Sequence, residues 1–336
     1  MAANGAKSVI KSCLLRSRVM RLASTCIPPS VVVLRYHSIR EDPKLYQQYL
    51  SGIVHALARF DEHMRIVASE YVPVSLDDIV GFAEGKAVIP RRAVAVTFDD
   101  GFADNLEIAA PVMNRYGIKG AVFVSVGFVE ARDTLWFLRI RNAFNASTVP
   151  TWPGLQGDRE YDFSLPVERY QAFLEASRAC AQASGERQEN LVGSIEQRLG
   201  VPPLRPEQKI MLTWNDIREL QAQGHIVGSH TMSHPNVAHV GHEELVRELV
   251  DSKRRLEEKT QVSIVHFSYP KPILAPYFTE ETTKEVRRAG YRTAVTCQPG
   301  TFRLSDDLLR INRFAVPETG AELKWLLENA FLGRRV

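Results

Sequence analysis

The stretch Ala93-Val94-Ala95-Val96-Thr97-Phe98-Asp99-Asp100-Gly101 decides how the rest of the 336-residue chain is interpreted. It is a continuous apolar run, which is typical of a strand buried on both faces of a parallel sheet. The run ends in two adjacent carboxylates, which raise each other's pKa when nothing compensates for their charge. Asp-Asp-Gly also suits a plain turn after a strand, so this stretch alone leaves a turn and a functional site open.

Composition indicates a globular protein and argues against some functions. The hydrophobic share of 45% and the charged share of 24% are typical of a soluble globular domain with an ample core. The net charge of +3 is too small to favour a nucleic-acid partner, and neither zinc-finger spacing nor an extended basic stripe is present. The four cysteines lie far apart without a Cys-x-x-Cys pair, which favours reduced thiols and a cytoplasmic location.

Residues 1–30 form a basic extension in which lysines and arginines alternate with apolar residues. These charges interrupt every apolar run, so neither a secretory signal of about 7–15 apolar residues nor a membrane span of ~20 is predicted. The pattern predicts a basic amphipathic helix. That helix packs on the flank of the domain or lies on an anionic membrane surface, which would make the protein peripheral to the inner membrane.

Strand-like and helix-like segments alternate along the rest of the chain, which predicts an α/β fold with a parallel sheet. About seven strand candidates, counted by periodicity, are enough to close a barrel. They are Val31–Tyr36, Ala93–Phe98, Gly120–Val126, His225–Ser229, Ser263–Ser268, Arg292–Thr296 and Ile311–Val316.

Helical segments are predicted between and after these strands. Lys44–Glu70 and Tyr170–Leu199 are each expected to be helical, and the strongly charged segment Glu243–Lys259 is expected to present a solvated outer face. The pattern loosens over residues 132–208, which are interpreted as a mostly helical insertion into a single catalytic domain spanning 31–316. Residues 317–336 are expected to form a C-terminal helix that packs on this domain.

Chemically active residues follow the carboxyl ends of four different predicted strands: His37, Asp99-Asp100, His230 and Tyr269-Pro270. Active sites of α/β barrels form at this end of the strands, so a parallel sheet brings the four sets to one face. This convergence favours a functional site over a simple turn at the two carboxylates.

The residues His230 and His234 are spaced as an HxxxH pair, which can place two imidazoles on one metal. The metalloprotease version, HExxH, needs a glutamate where Thr231 stands. Two histidines and one carboxylate complete a facial metal triad, and a second carboxylate beside the metal can act as a base. The residues therefore indicate metal-assisted hydrolysis.

The stretch Thr97–Gly101, together with His230–Pro235, resembles the first two motifs of the polysaccharide deacetylase family, the NodB-homology domain. The resemblance extends over about Val31–Val316 and implies a distorted (β/α)7-type barrel that removes acetyl groups from glycans with a bound divalent metal, often zinc. It also implies a role for each motif residue. Asp99 would be the general base, and the metal ligands would be Asp100, His230 and His234.

The remaining motifs depart from the family pattern. The third motif usually reads Arg-x-Pro-Tyr, whereas this chain has Ser268-Tyr269-Pro270-Lys271. The resemblance implies that Tyr269, Pro270 and Lys271 form the substrate and oxyanion region, with the backbone N–H of Lys271 directed at the oxyanion. Without the arginine of that motif, the orientation of Asp99 falls to another residue, such as Arg310 or Arg313.

The usual C-terminal Leu-x-His, whose histidine is the general acid, is absent because no histidine follows His266. Tyr36-His37 resembles the N-terminal Tyr-His element of a permuted branch similar to biofilm poly-N-acetylglucosamine deacetylases. In that branch the histidine supplies the acid, so the resemblance implies that His37 is the general acid.

The expected function is metal-dependent hydrolysis of an N-acetyl or other N-acyl group on a glycan or sugar conjugate, at a carbon–nitrogen bond other than a peptide bond. Zinc is the expected metal. One alternative is deacetylation or deformylation of a lipid-linked or nucleotide-linked sugar at the cytoplasmic membrane face. Another is a catalytically degenerate protein that binds glycan or metal only. Asp104 and Asn105 are expected to cap the next helix, and Trp136 and Trp214 are either core residues or sugar-stacking platforms.

Overall fold

The computed structural model describes residue 17 and residues 19–46, 50–131, 134–204 and 209–334. Most of the expected N-terminal helix, and both expected boundaries of the insertion, lie outside these residues. The described strands are β1 Val31–Tyr36, β2 Ser38–Arg40, β3 Val54–Ala56, β4 Val72–Pro73, β5 Ala93–Phe98, β6 Ala121–Val124, β7 Thr151–Trp152, β8 Tyr161–Asp162, β9 Ile226–Ser229, β10 His266–Ser268, β11 Thr293–Val295, β12 Thr301–Phe302 and β13 Phe314–Ala315.

The described α-helices alternate with these strands for most of the chain. They are α1 Val19–Ala23, α2 Leu57–Glu70, α3 Leu76–Ala83, α4 Ala110–Arg115, α5 Val126–Ala131, α6 Trp136–Ala146, α7 Pro166–Ala181, α8 Gly185–Arg198, α9 Trp214–Ala222, α10 His242–Thr260, α11 Glu280–Arg288 and α12 Gly320–Phe331. Within the described ranges, none of the helices is both long enough and apolar enough to cross a bilayer.

The main sheet has the strand order β11-β10-β9-β6-β5-β1-β12, with β13 also paired to β1 and β4 to β5. All of its pairings are parallel except the one between β1 and β12. A parallel bridge between Val295 and Ile311 joins β11 to the segment that leads into β13, so this segment links the two ends of the curled sheet. The predicted α/β class with a distorted (β/α)7-type barrel is confirmed.

Alternation along β5 determines which of its residues reach the interior of the barrel. Val94, Val96 and Phe98 pack in the core between the sheet and the helices. Ala93 and Ala95 belong to the interior core on the opposite face of the sheet. Because successive side chains of a strand point to opposite faces, continuing this alternation places Asp99 on the interior side, at the carboxyl end of β5.

Two helix predictions were wrong in part. Lys44–Glu70 is not helical throughout, because Val54–Ala56 pairs in parallel with β2 and gains backbone hydrogen bonds there. Tyr170–Leu199 is broken between α7 and α8, where Gly185 has a φ of 54°. This left-handed conformation is readily adopted by glycine and interrupts a helix.

The inserted region has its own apolar cluster, formed by α6, α7, α8 and the hairpin β7–β8. Phe144 packs edge-on against the buried ring of Trp152. Buried Arg139 donates hydrogen bonds to Glu196 and Glu189 and so links α6 to α8. At the other end of the chain, α12 begins with a capping box at Thr319 and packs against α2.

Candidate active site

Asp99 is 2% exposed and forms a bidentate ion pair with an equally buried arginine. Arg313 donates from Nη1 to Asp99 Oδ1 at 2.8 Å and from Nη2 to Asp99 Oδ2 at 2.7 Å. Burial alone would raise the pKa of Asp99, but the guanidinium of Arg313 and nearby imidazoles outweigh it and lower the pKa below its usual range. Asp99 is therefore ionised at neutral pH, as a general base must be.

Arg313 is the one of the two arginines proposed from the sequence that contacts Asp99. It lies on the segment that links β11 to β1, directly before β13, and β13 pairs with β1, the neighbour of β5. Arg310, the other arginine proposed from the sequence, instead forms an ion pair with Glu280 at 2.7 Å. Ser268 occupies the position of the motif arginine, and its hydroxyl donates to Asp99 Oδ1 at 3.0 Å and accepts a hydrogen bond from Arg313.

The second carboxylate meets the two histidines of the HxxxH pair. Asp100 Oδ1 lies 3.5 Å from His230 Nε2 and 3.4 Å from His234 Nε2. All three residues are buried, and one ligand atom from each lies within 4.8 Å of the others. Two donors that bind one zinc ion tetrahedrally at about 2.1 Å lie about 3.4 Å apart. The observed separations therefore suit a single cation.

The protonation of His230 also suits a metal ligand. Its Nδ1 lies 2.7 Å from the carbonyl oxygen of Ser268. A carbonyl only accepts, so Nδ1 carries the proton, and burial lowers the pKa of His230 to about 4, which keeps the ring neutral. The unprotonated Nε2 of His230 thus faces the carboxylate of Asp100. Both atoms present a lone pair to the other, and a cation bound between them would accept both lone pairs.

The loop that carries both histidines has a strained backbone held by a buried carboxylate. Thr231 and His234 have φ values of 69° and 56°, in the left-handed region that side chains other than glycine rarely adopt. Glu248 of α10 accepts hydrogen bonds from the backbone N–H groups of Met232 at 2.8 Å and Ser233 at 2.9 Å. The HxxxH pair is therefore a tight loop, and Glu248 is a site-supporting residue that the sequence did not reveal.

His37 follows β1 on the side of the site next to β5. The backbone N–H of Asp99 donates to Tyr36 O at 3.1 Å, so the two strands stay paired up to these residues. Burial lowers the pKa of His37 to about 4, while Asp100 and Asp99 are near enough to act in the opposite direction. The structure thus brings together His37, Asp99, Asp100 and the HxxxH pair.

The third-motif residues contribute less to the site. The side chain of Tyr269 is 1% exposed, packs in the core between sheet and helices, and donates to Leu309 O at 3.1 Å. Its backbone N–H donates to Val295 O, and Pro270 has no N–H to offer. Tyr269 therefore does not line the site through its side chain. Of the three residues, Lys271 keeps a candidate N–H for an oxyanion.

The insertion reaches the site through the first turn of α6. Trp136 is 2% exposed, and its Nε1–H donates to His234 O at 3.0 Å. It therefore supports the loop that carries His230 and His234, and its buried ring is not a platform for a sugar. Phe137 is partly exposed, and its ring centroid lies 5.0 Å from that of His234, which makes it an aromatic wall that the sequence did not single out. Trp214 packs against the core between sheet and helices.

The prediction that Asp104 and Asn105 cap the next helix was wrong. Asp104 makes no capping hydrogen bond, and the turn Asn105–Ala109 is π-helical. Asp104 instead forms an ion pair with Arg40 Nε at 2.9 Å, because the side chains of β2 offer it buried donors. Burial raises the pKa of Asp104 to about 6, although Arg40 and Ser38 oppose this shift.

Comparison with known proteins shows a family match and one curated relative. A family model described as polysaccharide deacetylase matches residues 86–294. The YxkH protein of Bacillus subtilis (strain 168), which has polysaccharide deacetylase in its name, is 20% identical over 226 residues. The match covers 67% of this chain and 52% of that protein, so the chain spans about half the length of the curated relative.

Solved structures share the fold at low sequence identity. The Streptococcus pyogenes deacetylase PplD, solved in complex with acetate, is 16% identical with a TM-score of 0.60, covering 89% of this chain and 99% of PplD. IcaB from Ammonifex degensii is 18% identical with a TM-score of 0.56, covering 89% and 97%. The BpsB deacetylase domain from Bordetella bronchiseptica is 16% identical with a TM-score of 0.53, covering 85% and 96%.

Proposed function

The chain belongs to the polysaccharide deacetylase family, and from this premise we propose that it hydrolyses an N-acetyl or other N-acyl group on a glycan or sugar conjugate. The observation that carries the proposal is that two adjacent carboxylates, Asp99 and Asp100, have different surroundings. Asp99 is held ionised by Arg313, while Asp100 meets two imidazoles at 3.4–3.5 Å. A base beside a three-residue metal ligand set is the arrangement that metal-assisted hydrolysis requires.

The proposed metal ligands are Asp100, His230 and His234, and zinc is the expected ion. A divalent cation there would polarise the acyl carbonyl and lower the pKa of a water molecule. The donor set of two imidazoles and one carboxylate, with remaining positions open, is common in catalytic zinc sites. All three side chains are buried, and the lower dielectric of a buried site strengthens the electrostatic interactions within it.

The proposed reaction joins the oxygen of water to the acyl carbon and breaks the carbon–nitrogen bond. Asp99 takes a proton from the attacking water, and Arg313 keeps the carboxylate oriented for that transfer. The backbone N–H of Lys271 is proposed to stabilise the negative charge that develops on the acyl oxygen. His37 donates a proton to the departing amine nitrogen, so the products are a free amine and a carboxylate.

The acid role places one requirement on His37. With a pKa of about 4, its imidazole is neutral at pH 7 in the free protein and lacks the second ring proton that makes an imidazolium an acid. We propose that it gains a proton from solvent after the substrate binds. Negative charge developing on the substrate then adds to the charges of Asp99 and Asp100, and nearby negative charge raises the pKa of an imidazole.

A substrate panel tests the proposed function. Acetate and formate release should be measured with N-acylated oligosaccharides and with nucleotide- and lipid-linked sugars, together with the metal content of the same sample. We expect acetate release from at least one class, a fall of at least about 100-fold after dialysis against a chelator, and recovery with Zn²⁺. Metal content without turnover of any acyl sugar would contradict hydrolysis and favour the degenerate, binding-only alternative.

The lipid-linked alternative at the cytoplasmic membrane face has one observation in its favour. Helix α1 leaves Val19 and Leu22 56% and 67% exposed, next to Arg21, while Met20 is buried against the domain. Exposed apolar and basic side chains on one short helix suit an anionic membrane surface. Release confined to the lipid-linked substrates of the panel would favour this alternative over a polymeric glycan.

A further inference from the structure

The residue proposed as the acid is held by its backbone rather than by its ring. Among the residues that the structure describes, none forms a hydrogen bond with the imidazole of His37. Its carbonyl oxygen, by contrast, accepts a hydrogen bond of 2.7 Å from Nδ2 of Asn105. An imidazole that must reach a leaving group needs a fixed position, so its placement depends on what holds this stretch of backbone.

A second side chain holds the residues that follow His37. Asp104 accepts hydrogen bonds from Ser38 Oγ at 2.6 Å and from the N–H of Ile39 at 3.1 Å, in addition to its ion pair with Arg40. Nδ2 of Asn105 also donates to Asp104 Oδ1 at 3.1 Å, so the two side chains act together. Both are 0% exposed. We call this pair the Asp104–Asn105 clamp.

The clamp lies on the same loop as the proposed base. Asp99 and Asp100 directly follow β5, and Asp104 and Asn105 lie within five residues of Asp100. The loop is itself constrained, since Asp100 and Gly101 have φ values of 78° and 82°. One short segment therefore carries the base and a metal ligand and, through the clamp, the backbone of the acid.

The orientation of Asn105 also points to its bond with His37. Its Nδ2 faces two oxygen atoms, which fixes the assignment of the amide. Its Oδ1 is buried without a hydrogen-bond partner among the described residues. A buried unpaired acceptor is unfavourable for folding, so stability alone is a poor explanation for an asparagine at this position.

We propose that Asp104 and Asn105 are positioning residues that fix His37 relative to Asp99 for proton delivery to the leaving amine. This inference rests on the proposed function, because it concerns how that reaction places its acid. A purely structural clamp would support hydrolysis of every substrate equally. A clamp that positions the acid matters only where the leaving group needs a proton.

Two substrates separate these roles in the variants Asn105→Ala and Ser38→Ala of the full chain. One is the N-acetylated glycan that the wild type turns over best, whose amine must be protonated to leave. The other is 4-nitrophenyl acetate, whose phenolate leaves without a proton. We expect kcat/KM for the glycan to fall about 100-fold, because a misplacement of the acid by about 1 Å has an effect of this size. We expect kcat/KM for the ester to stay within about threefold of the wild-type value, because its leaving group needs no proton.

Two further variants provide the reference points. His37→Ala should show the same split between substrates. Ser147→Ala removes another buried hydrogen bond from a side chain to a carbonyl, the 2.7 Å bond from Ser147 Oγ to Leu199 O in the insertion. This variant should hydrolyse both the glycan and the ester at the wild-type rate. Zinc content and the thermal unfolding midpoint of each variant show that the site and the fold persist. Should Asn105→Ala fail to fold, Ser38→Ala carries the comparison.

The outcomes distinguish the two levels of the proposal. Equal losses on both substrates in the clamp variants, or no loss on either, overturn the positioning role while leaving the hydrolase intact. A wild-type protein that cleaves the ester but no N-acetylated glycan overturns the proposed function, and this inference fails with it. A selective loss on the glycan alone supports both.

Discussion

Replacing Asp99 with asparagine is expected to lower acetate release by about 100- to 10,000-fold, the range that a positioned general base contributes. Asparagine keeps the size of the side chain but cannot take a proton from water. Because Asp99 is not among the three converging ligands, the metal content should stay at the wild-type level. Steady-state kcat on the glycan, measured beside metal analysis of the same sample, tests both halves of the expectation.

The adjacent carboxylate provides the contrast. Asp100→Asn should lose metal and activity together, whereas Asp99→Asn should lose activity alone. Asp251→Asn, on the exposed face of α10, is the matched control and should change neither. Wild-type activity in Asp99→Asn would contradict the assignment of Asp99 as the base. Loss of metal in that variant would show that Asp99 is a metal ligand.

The convergence of the site could be predicted because it follows from strand geometry. In a parallel sheet the carboxyl ends of the strands meet at one face, so an apolar run ending in Asp99-Asp100 and a later one ending in His230 must lie together. The period of two along β5 also places Asp99 on the interior face. These features depend on local patterns that a sequence displays directly.

The supporting contacts could not be predicted because they depend on side chains that meet only in three dimensions. Arg313 and Arg310 were equal candidates until the link between β11 and β1 placed one of them in the interior. The charged helix α10 was interpreted as a solvated face. One of its glutamates, Glu248, is nevertheless 4% exposed and accepts a backbone hydrogen bond from the loop that carries His230 and His234. Periodicity does not distinguish a buried glutamate from its exposed neighbours.

The local signals that failed share a physical cause. Val54–Ala56 fits a helical spacing, but the edge of β2 offers it a strand partner, and tertiary pairing overrides local preference. Asp104 stands where a helix cap is expected, yet Arg40 and Ser38 provide buried donors that satisfy the carboxylate better than a backbone N–H at a helix start.

Replacing Arg313 with methionine is expected to lower the free energy of unfolding at pH 7 by about 3–5 kcal/mol, because it leaves the buried carboxylate of Asp99 without its partner. The pKa of Asp99 is lowered in the native state, so the ion pair contributes stability above the unfolded-state pKa of about 3.9. That contribution is lost as the pH falls further. The difference between wild type and variant should therefore be largest near neutral pH and shrink below about pH 4.

Arg310→Met is the matched control, because both arginines were candidates for the same role and both form an ion pair with a carboxylate. The Arg310 side chain is 31% exposed and its partner Glu280 is 77% exposed, so its removal should cost no more than about 1 kcal/mol. Urea unfolding of both variants at several pH values provides the comparison.

Adding Asp99→Asn to Arg313→Met should recover part of the lost stability, since it removes the unpaired buried charge. Equal losses in the two arginine variants, or a loss that does not depend on pH, would show that the Asp99–Arg313 pair does not stabilise the site as proposed.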